Sequence, residues 1–274
     1  MKFRIPLWSA SFHTVEVNLH FDPTSHNLGT LNYCGTDMPD PSGKETDQMV
    51  VNIACLDHKR FRATLVSTIG SHCEVWRSSK RHEEQLDGEI ETGYTEFVIK
   101  WPYSEYSERE TKLLAKHYRQ LKETLDEIIP NALFVVTKIN GRPSVFVLAK
   151  AINIWFNIAN QQNEEEAIKL LCANPKALIQ LSRFVNAAQA WRNSDNPRVI
   201  DLFGIDNLIM DTNREIHFLD SFFVFFFEDT FYLIDESEDN SELADKVDIS
   251  IKRINYLERL LIHAKAACKN KEAG

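Results

Sequence analysis

Apolar and polar positions alternate through much of the first hundred residues, and this pattern predicts short β-strands. Four segments combine β-branched and aromatic residues in this way: 48–56, 60–68, 73–78 and 95–101. Segment 4–21 alternates in part, whereas segment 38–47 is rich in Pro, Gly and charge and is predicted to be a loop. The polar segment 79–93 is predicted to be a long hairpin loop. The first half of the chain is therefore expected to be mainly β.

One stripe of apolar residues with 4,3,4,3 spacing predicts an amphipathic helix over residues 107–130. The stripe consists of Leu114, Tyr118, Leu121, Leu125 and Ile128. Ser107 is a plausible N-cap, and Glu110, three residues later, would complete a capping box. Pro130 marks the exit from the helix.

The rest of the chain is predicted to alternate between hairpins and helices. Two β-rich runs flank the turn sequence NGRP in segment 132–150, which predicts a hairpin. Residues 164–192 are predicted to be helical with an interruption at 173–175, and the chain is expected to end as a helix from about residue 242. One face of this last helix carries Ile251, Ile254, Leu257 and Leu261.

A second hairpin is predicted in segment 201–222, where the runs NLIM and IHFLD flank the polar turn DTNRE. Asp201 precedes this hairpin, Asn207 opens it and Asp220 closes it. Taken alone, the pattern is typical of a surface hairpin in which Asp and Asn form turns and end strands.

Composition excludes several classes of protein. The 274 residues are 43% hydrophobic and 26% charged, as in ordinary globular domains, and the net charge of -9 argues against general binding to nucleic acid or anionic membranes. The longest apolar run, 222–227, is too short to span a bilayer, and no secretory signal is expected. Five scattered cysteines without a CxxC pair make a zinc site or disulfide framework an unlikely expectation, which favours a cytoplasmic location.

The order of these elements, with segment 201–222 at its position, resembles the protein-kinase-like fold in a compact form. The resemblance implies an α+β, bilobal protein. An N-terminal antiparallel β lobe with one long helix would occupy residues 60–152, and a smaller, mainly helical C-lobe would occupy residues 153–274. Residues 1–59 would extend the β lobe.

The resemblance also implies a metal site. Asn207 and Asp220 are thirteen residues apart, the separation between the catalytic-loop Asn and the DFG Asp of kinases, and would bind Mg²⁺. Asp201 would orient the acceptor hydroxyl, although it lies six residues before Asn207 where kinases usually have five. The His-Arg pair that precedes this Asp in kinases is missing. Asp235 is an alternative metal ligand to Asp220.

Nucleotide binding is implied by segment 98–101, VIKW, which resembles the VAIK strand and would place Lys100 on the α- and β-phosphates. Glu110 would pair with Lys100. The alternatives are an ordinary lysine at a strand end and a Glu110 that serves only the capping box.

Two further segments would complete the nucleotide site. Segment 67–78 occupies the position of the Gly-rich loop but contains a single glycine, so Gly70 and Ser71 would offer backbone amides to the phosphates. Segment 146–153 would be the hinge, where Leu148 and Ala149 offer backbone groups to the adenine.

The resemblance thus implies an ATP- and Mg²⁺-dependent phosphotransferase whose acceptor is a protein hydroxyl or a small molecule. The missing His-Arg pair and the glycine-poor loop favour an alternative, a pseudokinase that binds nucleotide or a protein partner without catalysis. A third interpretation is an unrelated α+β interaction protein, in which segment 222–227 is core or a partner strand, with core favoured.

Overall fold

The structure is a computed structural model. It describes residues 14–15, 50–52, 61–62, 64–67, 72–86, 89–139, 142–227 and 241–272. Most of segment 4–21, the loop 38–47, and the predicted site residues Gly70, Ser71 and Asp235 lie outside the described residues. The chain is an α+β protein that divides into two compact units, Met1–Thr111 with Ala132–Ala151 and Lys112–Asn131 with Ile152–Gly274.

The first unit is built on a six-stranded sheet. The strands of this unit are β1 (Thr14–Val15), β2 (Val50–Asn52), β3 (Phe61–Arg62), β4 (Thr64–Ser67), β5 (Cys73–Leu86), β6 (Glu89–Pro102), β7 (Ala132–Ile139) and β8 (Arg142–Lys150). The sheet order is β2-β7-β8-β6-β5-β4, and only the β2–β7 pair is parallel, while β1 and β3 form a separate antiparallel pair. The predicted hairpin over 132–150 is confirmed as β7 and β8.

Strands β7 and β8 carry the core of this sheet. Apolar side chains on both faces of these strands are buried, among them Phe134, Val135, Phe146 and Val147. A continuous run of β-branched and aromatic residues suits a central strand that is covered on both sides. Each such side chain stabilises the fold by roughly 1.5–3 kcal/mol through removal from water.

The prediction of a loop over 79–93 is wrong. Strands β5 and β6 remain paired along their whole length, from Cys73↔Pro102 to Leu86↔Glu89. Backbone hydrogen bonds form this ladder and do not require apolar side chains, so a polar segment can extend a hairpin. The overlooked signal is the Asp87–Gly88 dipeptide between the strands, a typical two-residue hairpin turn.

Helix α1 (Glu108–Leu125) follows β6 and continues as a short 3₁₀ helix, Asp126–Ile128. All five residues of the predicted apolar stripe are buried, so the predicted face is confirmed. The α-helix ends before Pro130 because Asp126 adopts the left-handed conformation, with φ of 50°. Lys122 satisfies the exposed carbonyls by donating to the oxygens of Asp126 and Ile129.

The second unit contains short strands among long helices. Its elements after α1 are β9 (Ile154–Phe156), α2 (Glu164–Ala173), α3 (Pro175–Arg192), β10 (Arg198–Ile200), β11 (Leu208–Asp211), β12 (Ile216–Phe218), β13 (Phe225–Phe227) and α4 (Ser241–Glu272). The strands form a sheet of order β12-β11-β9 and a separate antiparallel pair, β10 with β13. The predicted helical break at 173–175 is confirmed, because Pro175 begins α3 at a position where its missing N–H costs nothing.

Apolar segment 222–227 is mostly core, as the sequence favours. Phe222, Phe225 and Phe226 are buried, whereas Phe223 is 40% exposed and has a φ of 52°. Trp191 packs edge-on against Phe225 with 4.9 Å between ring centroids. None of the helices that the structure describes has the length and hydrophobicity to cross a membrane.

A disulfide joins Cys172 at the end of α2 to Cys268 near the end of α4, with 5.2 Å between their Cα atoms. The expectation that cysteines of this chain do not pair is therefore wrong for this pair. Its cause is the packing of α2 beside α4, which brings together residues separated by 96 positions. A cross-link over a loop of about 100 residues stabilises a fold by up to about 4.7 kcal/mol in the chain-entropy account.

Candidate metal-binding site at the open end of a hairpin

Strands β11 and β12 form the hairpin predicted in segment 201–222. Their register pairs Leu208 with Phe218 and Met210 with Ile216. Beyond the last strand pair, the amide of Leu219 donates to the carbonyl oxygen of Asn207 at 2.8 Å. Asn207 and the neighbouring Asp220 therefore lie at the same open end of the hairpin.

Asp201 reaches this end through a tight loop after β10. Its amide donates to the Val224 carbonyl oxygen at 3.0 Å, and its Oδ1 accepts the Phe203 amide at 2.7 Å. Asn207 Nδ2 donates to the carbonyl oxygen of Asp201 at 3.1 Å. Asp201 and Asn207, which the sequence places six residues apart, are thus directly linked.

Gly204 makes room for this link. A Cβ atom at position 204 would lie 2.4 Å from Oδ1 and 2.9 Å from Cγ of Asn207. The Asn207 amide also donates to the Gly204 carbonyl oxygen at 3.1 Å, so the side chain folds back over the loop. Any larger residue at position 204 would displace the amide group of Asn207.

Asp201 and Asp220 influence each other electrostatically. Asp201 is only 3% exposed, and burial, followed by the negative charge of Asp220, raises its pKa from 3.8 to about 7. Burial and the charge of Asp220 also raise the pKa of the Tyr118 hydroxyl, which donates to the Pro130 carbonyl oxygen. A buried carboxyl group beside a second carboxylate forms a site that favours a cation.

The remaining oxygens of the site suit a hard cation. Asp220 accepts the Ser221 amide at 2.6 Å and the Phe222 amide at 3.3 Å, both through Oδ1. Among the residues that the structure describes, Oδ2 of Asp201 and Asp220 and Oδ1 of Asn207 accept no hydrogen bond. Mg²⁺ prefers such carboxylate and amide oxygens. Among the described residues, no group of three or more His, Cys, Asp or Glu side chains is placed to hold a metal ion.

Helix α4 contributes three polar side chains that the sequence analysis missed. Ser250 Oγ accepts the Leu202 amide at 3.0 Å, and Arg253 donates to the carbonyl oxygens of Leu202 and Phe203. The Lys246 ammonium lies 5.6 Å from the centre of the Phe203 ring. The positive charges of Lys246 and Arg253 partly offset the rise in the pKa of Asp201.

A sequence signal for these residues exists. Lys246, Ser250 and Arg253 have the 4,3 spacing of one helix face, and the same face continues with buried Leu257 and Leu261. When one helix face is apolar along part of its length, polar residues on the rest of that face indicate a polar partner. Their burial is costly without such a partner.

Lys100 lies on β6 in the first unit, where the register places it between Val75 of β5 and Val147 of β8. Its side chain is buried, at 8% exposure. Counted from the sheet edge at β4, β6 is the third antiparallel strand, and helix α1 follows it. A lysine near a strand end is normally exposed, so the burial of Lys100 sets it apart from most lysines at such positions.

Glu110 serves the capping box, which is the alternative to pairing with Lys100. Its carboxylate accepts the amide of Ser107 at 2.8 Å and the hydroxyl of Ser107 at 2.6 Å, and Ser107 Oγ accepts the Glu110 amide at 3.2 Å. These bonds form a capping box and lower the pKa of Glu110. The prediction that Glu110 points inward is wrong: the side chain is exposed because the first turn of α1 keeps it in solvent.

Leu148 and Ala149 cannot offer their backbone groups to a nucleotide as predicted. Both lie within β8, opposite Ile99 and Val98 of β6 on one side and opposite residues of β7 on the other. In a central strand every N–H and C=O is directed at a neighbouring strand. The proposed hinge contact at these two positions is therefore wrong.

Comparison with known protein families finds no match for this chain, and comparison with curated proteins finds no relative.

Proposed function

We propose that this protein is an ATP- and Mg²⁺-dependent phosphotransferase of kinase-like fold. The observation that carries the proposal is the convergence of Asp201, Asn207 and Asp220 at one end of the β11–β12 hairpin. Residues at these positions bind metal and orient the acceptor in protein kinases. The acceptor is a protein hydroxyl or a small molecule.

The order of elements over residues 64–150 supports the same proposal. Three antiparallel strands, β4 to β6, are followed by helix α1 and then by the hairpin of β7 and β8. The kinase lysine stands on the third strand, immediately before the inserted helix. Lys100 has this position and is buried.

Each residue of the hairpin end has a role that its environment suits. Asp220 and Asn207 offer oxygens that would hold Mg²⁺, which neutralises charge on the phosphates when bound. Asp201 accepts the proton of the acceptor hydroxyl, for which a carboxylate with a pKa near neutrality is better suited than an ordinary Asp. The Phe203 amide keeps one oxygen of Asp201 fixed, so the other faces the acceptor.

A pseudokinase that binds nucleotide without catalysis is the second candidate. Glu110 is held in the capping box and does not serve as the partner of Lys100. Val199 and Ile200, both buried in β10, replace the His-Arg pair. These departures affect the positioning of phosphates and acceptor more than the metal ligands, so they favour binding without turnover.

Thermal unfolding with ATP, with Mg²⁺ and with both tests the binding part of the proposal. At one hundred times the dissociation constant, the ligand should stabilise the parent protein by about 2.7 kcal/mol, roughly 2–4 °C per kcal/mol for a chain of this size. The shift should require Mg²⁺ and should be lost in Asp220→Asn. A parent protein that shows no shift at millimolar nucleotide would refute both candidates.

Formation of ADP separates the two candidates. For an active enzyme, Asp201→Asn should keep the metal-dependent shift but reduce ADP formation by about 10²–10⁴-fold, the usual contribution of a general base. A parent protein that binds nucleotide and forms no ADP with any offered hydroxyl acceptor is a pseudokinase.

A further inference from the structure

The loop formed by residues 201–203, which we name the Asp201 loop, is held mainly by helix α4. Ser250 accepts the Leu202 amide at 3.0 Å, while Arg253 donates to the two successive carbonyl oxygens of Leu202 and Phe203. Ser250 in turn donates to the Lys246 carbonyl oxygen at 2.8 Å, and its side chain is fully buried. Helix α4 thus satisfies three of the four backbone polar groups of Leu202 and Phe203.

Burial of the Arg253 guanidinium is energetically unfavourable. Its burial lowers the pKa of the guanidinium, although the charges of Asp201 and Asp206 act in the opposite direction. A half-buried arginine that donates to backbone carbonyls has exchanged water for fixed acceptors, so the arrangement requires the loop to keep its shape. An apolar residue on the same face would pack against the loop but leave both carbonyls without donors.

The Asp201 loop is directly connected to the candidate metal ligands. The Asp201 carbonyl oxygen accepts Nδ2 of Asn207, and the Asn207 carbonyl oxygen accepts the amide of Leu219, next to Asp220. A displacement of the loop would therefore move the oxygen of Asn207 first. Residues Val199 and Ile200, which stand where kinases have His-Arg, contribute no polar side chain that could hold the loop.

We propose that Arg253 and Ser250 are positioning residues of the phosphotransferase site, which hold the Asp201 loop and through it the metal-binding oxygen of Asn207. This inference rests on the proposed function. In this chain helix α4 holds the Asp201 loop, because the two residues immediately before Asp201 have no polar side chains that could hold it. Neither residue is expected to contact nucleotide or metal.

The test is the Mg²⁺ concentration at half-saturation of the ATP-dependent thermal shift, measured on the full chain. Arg253→Gln should raise this concentration by about tenfold and Ser250→Ala by about fivefold, the equivalents of one or two hydrogen bonds of typical net strength. Arg253→Lys keeps the charge and should fall between Arg253→Gln and the parent. Lys252→Gln is the matched control, because Lys252 lies on the exposed face of α4, with 72% of its side chain accessible, and pairs only with Asp248 among the described residues.

The change in Mg²⁺ requirement distinguishes a positioning role from a purely structural one. Loss of a purely structural contact would lower the melting temperature without altering the metal dependence. Should Arg253→Gln fail to fold, Ser250→Ala provides the answer, since it removes a single oxygen atom with its two hydrogen bonds, to the Leu202 amide and the Lys246 carbonyl oxygen. Equal half-saturation in the parent, Ser250→Ala and Lys252→Gln would overturn the inference while the proposed function stands. A parent protein without any ATP-dependent shift would overturn both.

Discussion

The β11–β12 hairpin carries Asp side chains at both ends, and the two ends differ in how these carboxylates are satisfied. At the turn, Asp211 Oδ1 accepts the amides of Asn213 and Glu215, both at 2.9 Å, and Oδ2 lies 3.3 Å from Nε2 of His217. At the open end, the second oxygens of Asp201 and Asp220 accept no hydrogen bond from any described residue. Identical residue types thus serve structure at one end and are available for binding at the other.

The two ends of the hairpin also differ in the charged groups that neighbour their carboxylates. Asp211 and His217 are both buried, at 6% and 7% exposure, and face each other as a potential ion pair. At the open end, burial and then the like charge of Asp220 raise the pKa of Asp201. A protein that only needed a stable hairpin would gain by pairing these groups, so the open end is the candidate binding site of the two.

The largest expected effect on stability is at the turn. Asp211→Ala leaves the amides of Asn213 and Glu215 without their acceptor and deprives buried His217 of its partner. We expect a loss of about 3 kcal/mol in the free energy of unfolding, because the bonds to the two part-buried amides contribute about 1 kcal/mol each and loss of the partner of buried His217 costs about 1–3 kcal/mol. Chemical denaturation of the metal-free protein measures it, and a loss below about 1 kcal/mol would contradict the structural role.

Asp201→Asn should produce an intermediate effect that depends on pH. The pKa of Asp201 in the folded protein, about 7, lies above the unfolded value of 3.8, so the folded state holds a proton that the unfolded state releases. Stability from this group is therefore complete below pH 4 and is lost as pH rises through 7. The variant should match the parent at pH 4 and be more stable at pH 8 by roughly 2–4 kcal/mol in the absence of metal.

Denaturation of both proteins at several pH values, with chelator present, provides the measurement. Asn keeps an oxygen for the Phe203 amide, so the change isolates the charge. A parent protein that is more stable than the variant at pH 8 would show that the folded protein does not raise the pKa of Asp201.

Gly204→Ala should have the smallest effect on stability and a clear effect on metal dependence. The new Cβ would meet Oδ1 of Asn207 at 2.4 Å and push the side chain away from the Asp201 carbonyl oxygen. We expect a loss of about 1 kcal/mol, the net value of one hydrogen bond, and a higher Mg²⁺ requirement for nucleotide binding. Unchanged Mg²⁺ dependence would mean that Asn207 is not a metal ligand.

Local periodicity was sufficient to predict most helices and the hairpins of this protein. The buried stripe of α1, the break before Pro175 and the β11–β12 hairpin follow from patterns of a few residues, which chain geometry fixes without tertiary contacts. The end of α1 was missed because Asp126 adopts a left-handed conformation that the sequence does not announce.

Long-range packing explains what the sequence could not show. Cys172 and Cys268 become neighbours only when α2 and α4 pack together, and Leu148 becomes inaccessible only when strands pair on both sides of β8. For the candidate site, spacing brought attention to Asn207 and Asp220. The contacts of Arg253 with the Asp201 loop depend on tertiary structure.

The most direct test of the central claim compares Asp211→Ala with Asp220→Ala in one experiment, the free energy of unfolding with and without ATP and Mg²⁺. The two ends of the hairpin should respond in opposite ways. Asp211→Ala should lose about 3 kcal/mol without ligand and keep the ligand-dependent stabilisation. Asp220→Ala should lose at most about 1 kcal/mol without ligand and lose all of the stabilisation by ligand. Equal ligand-dependent stabilisation in both variants would contradict the assignment of the open end as the metal site.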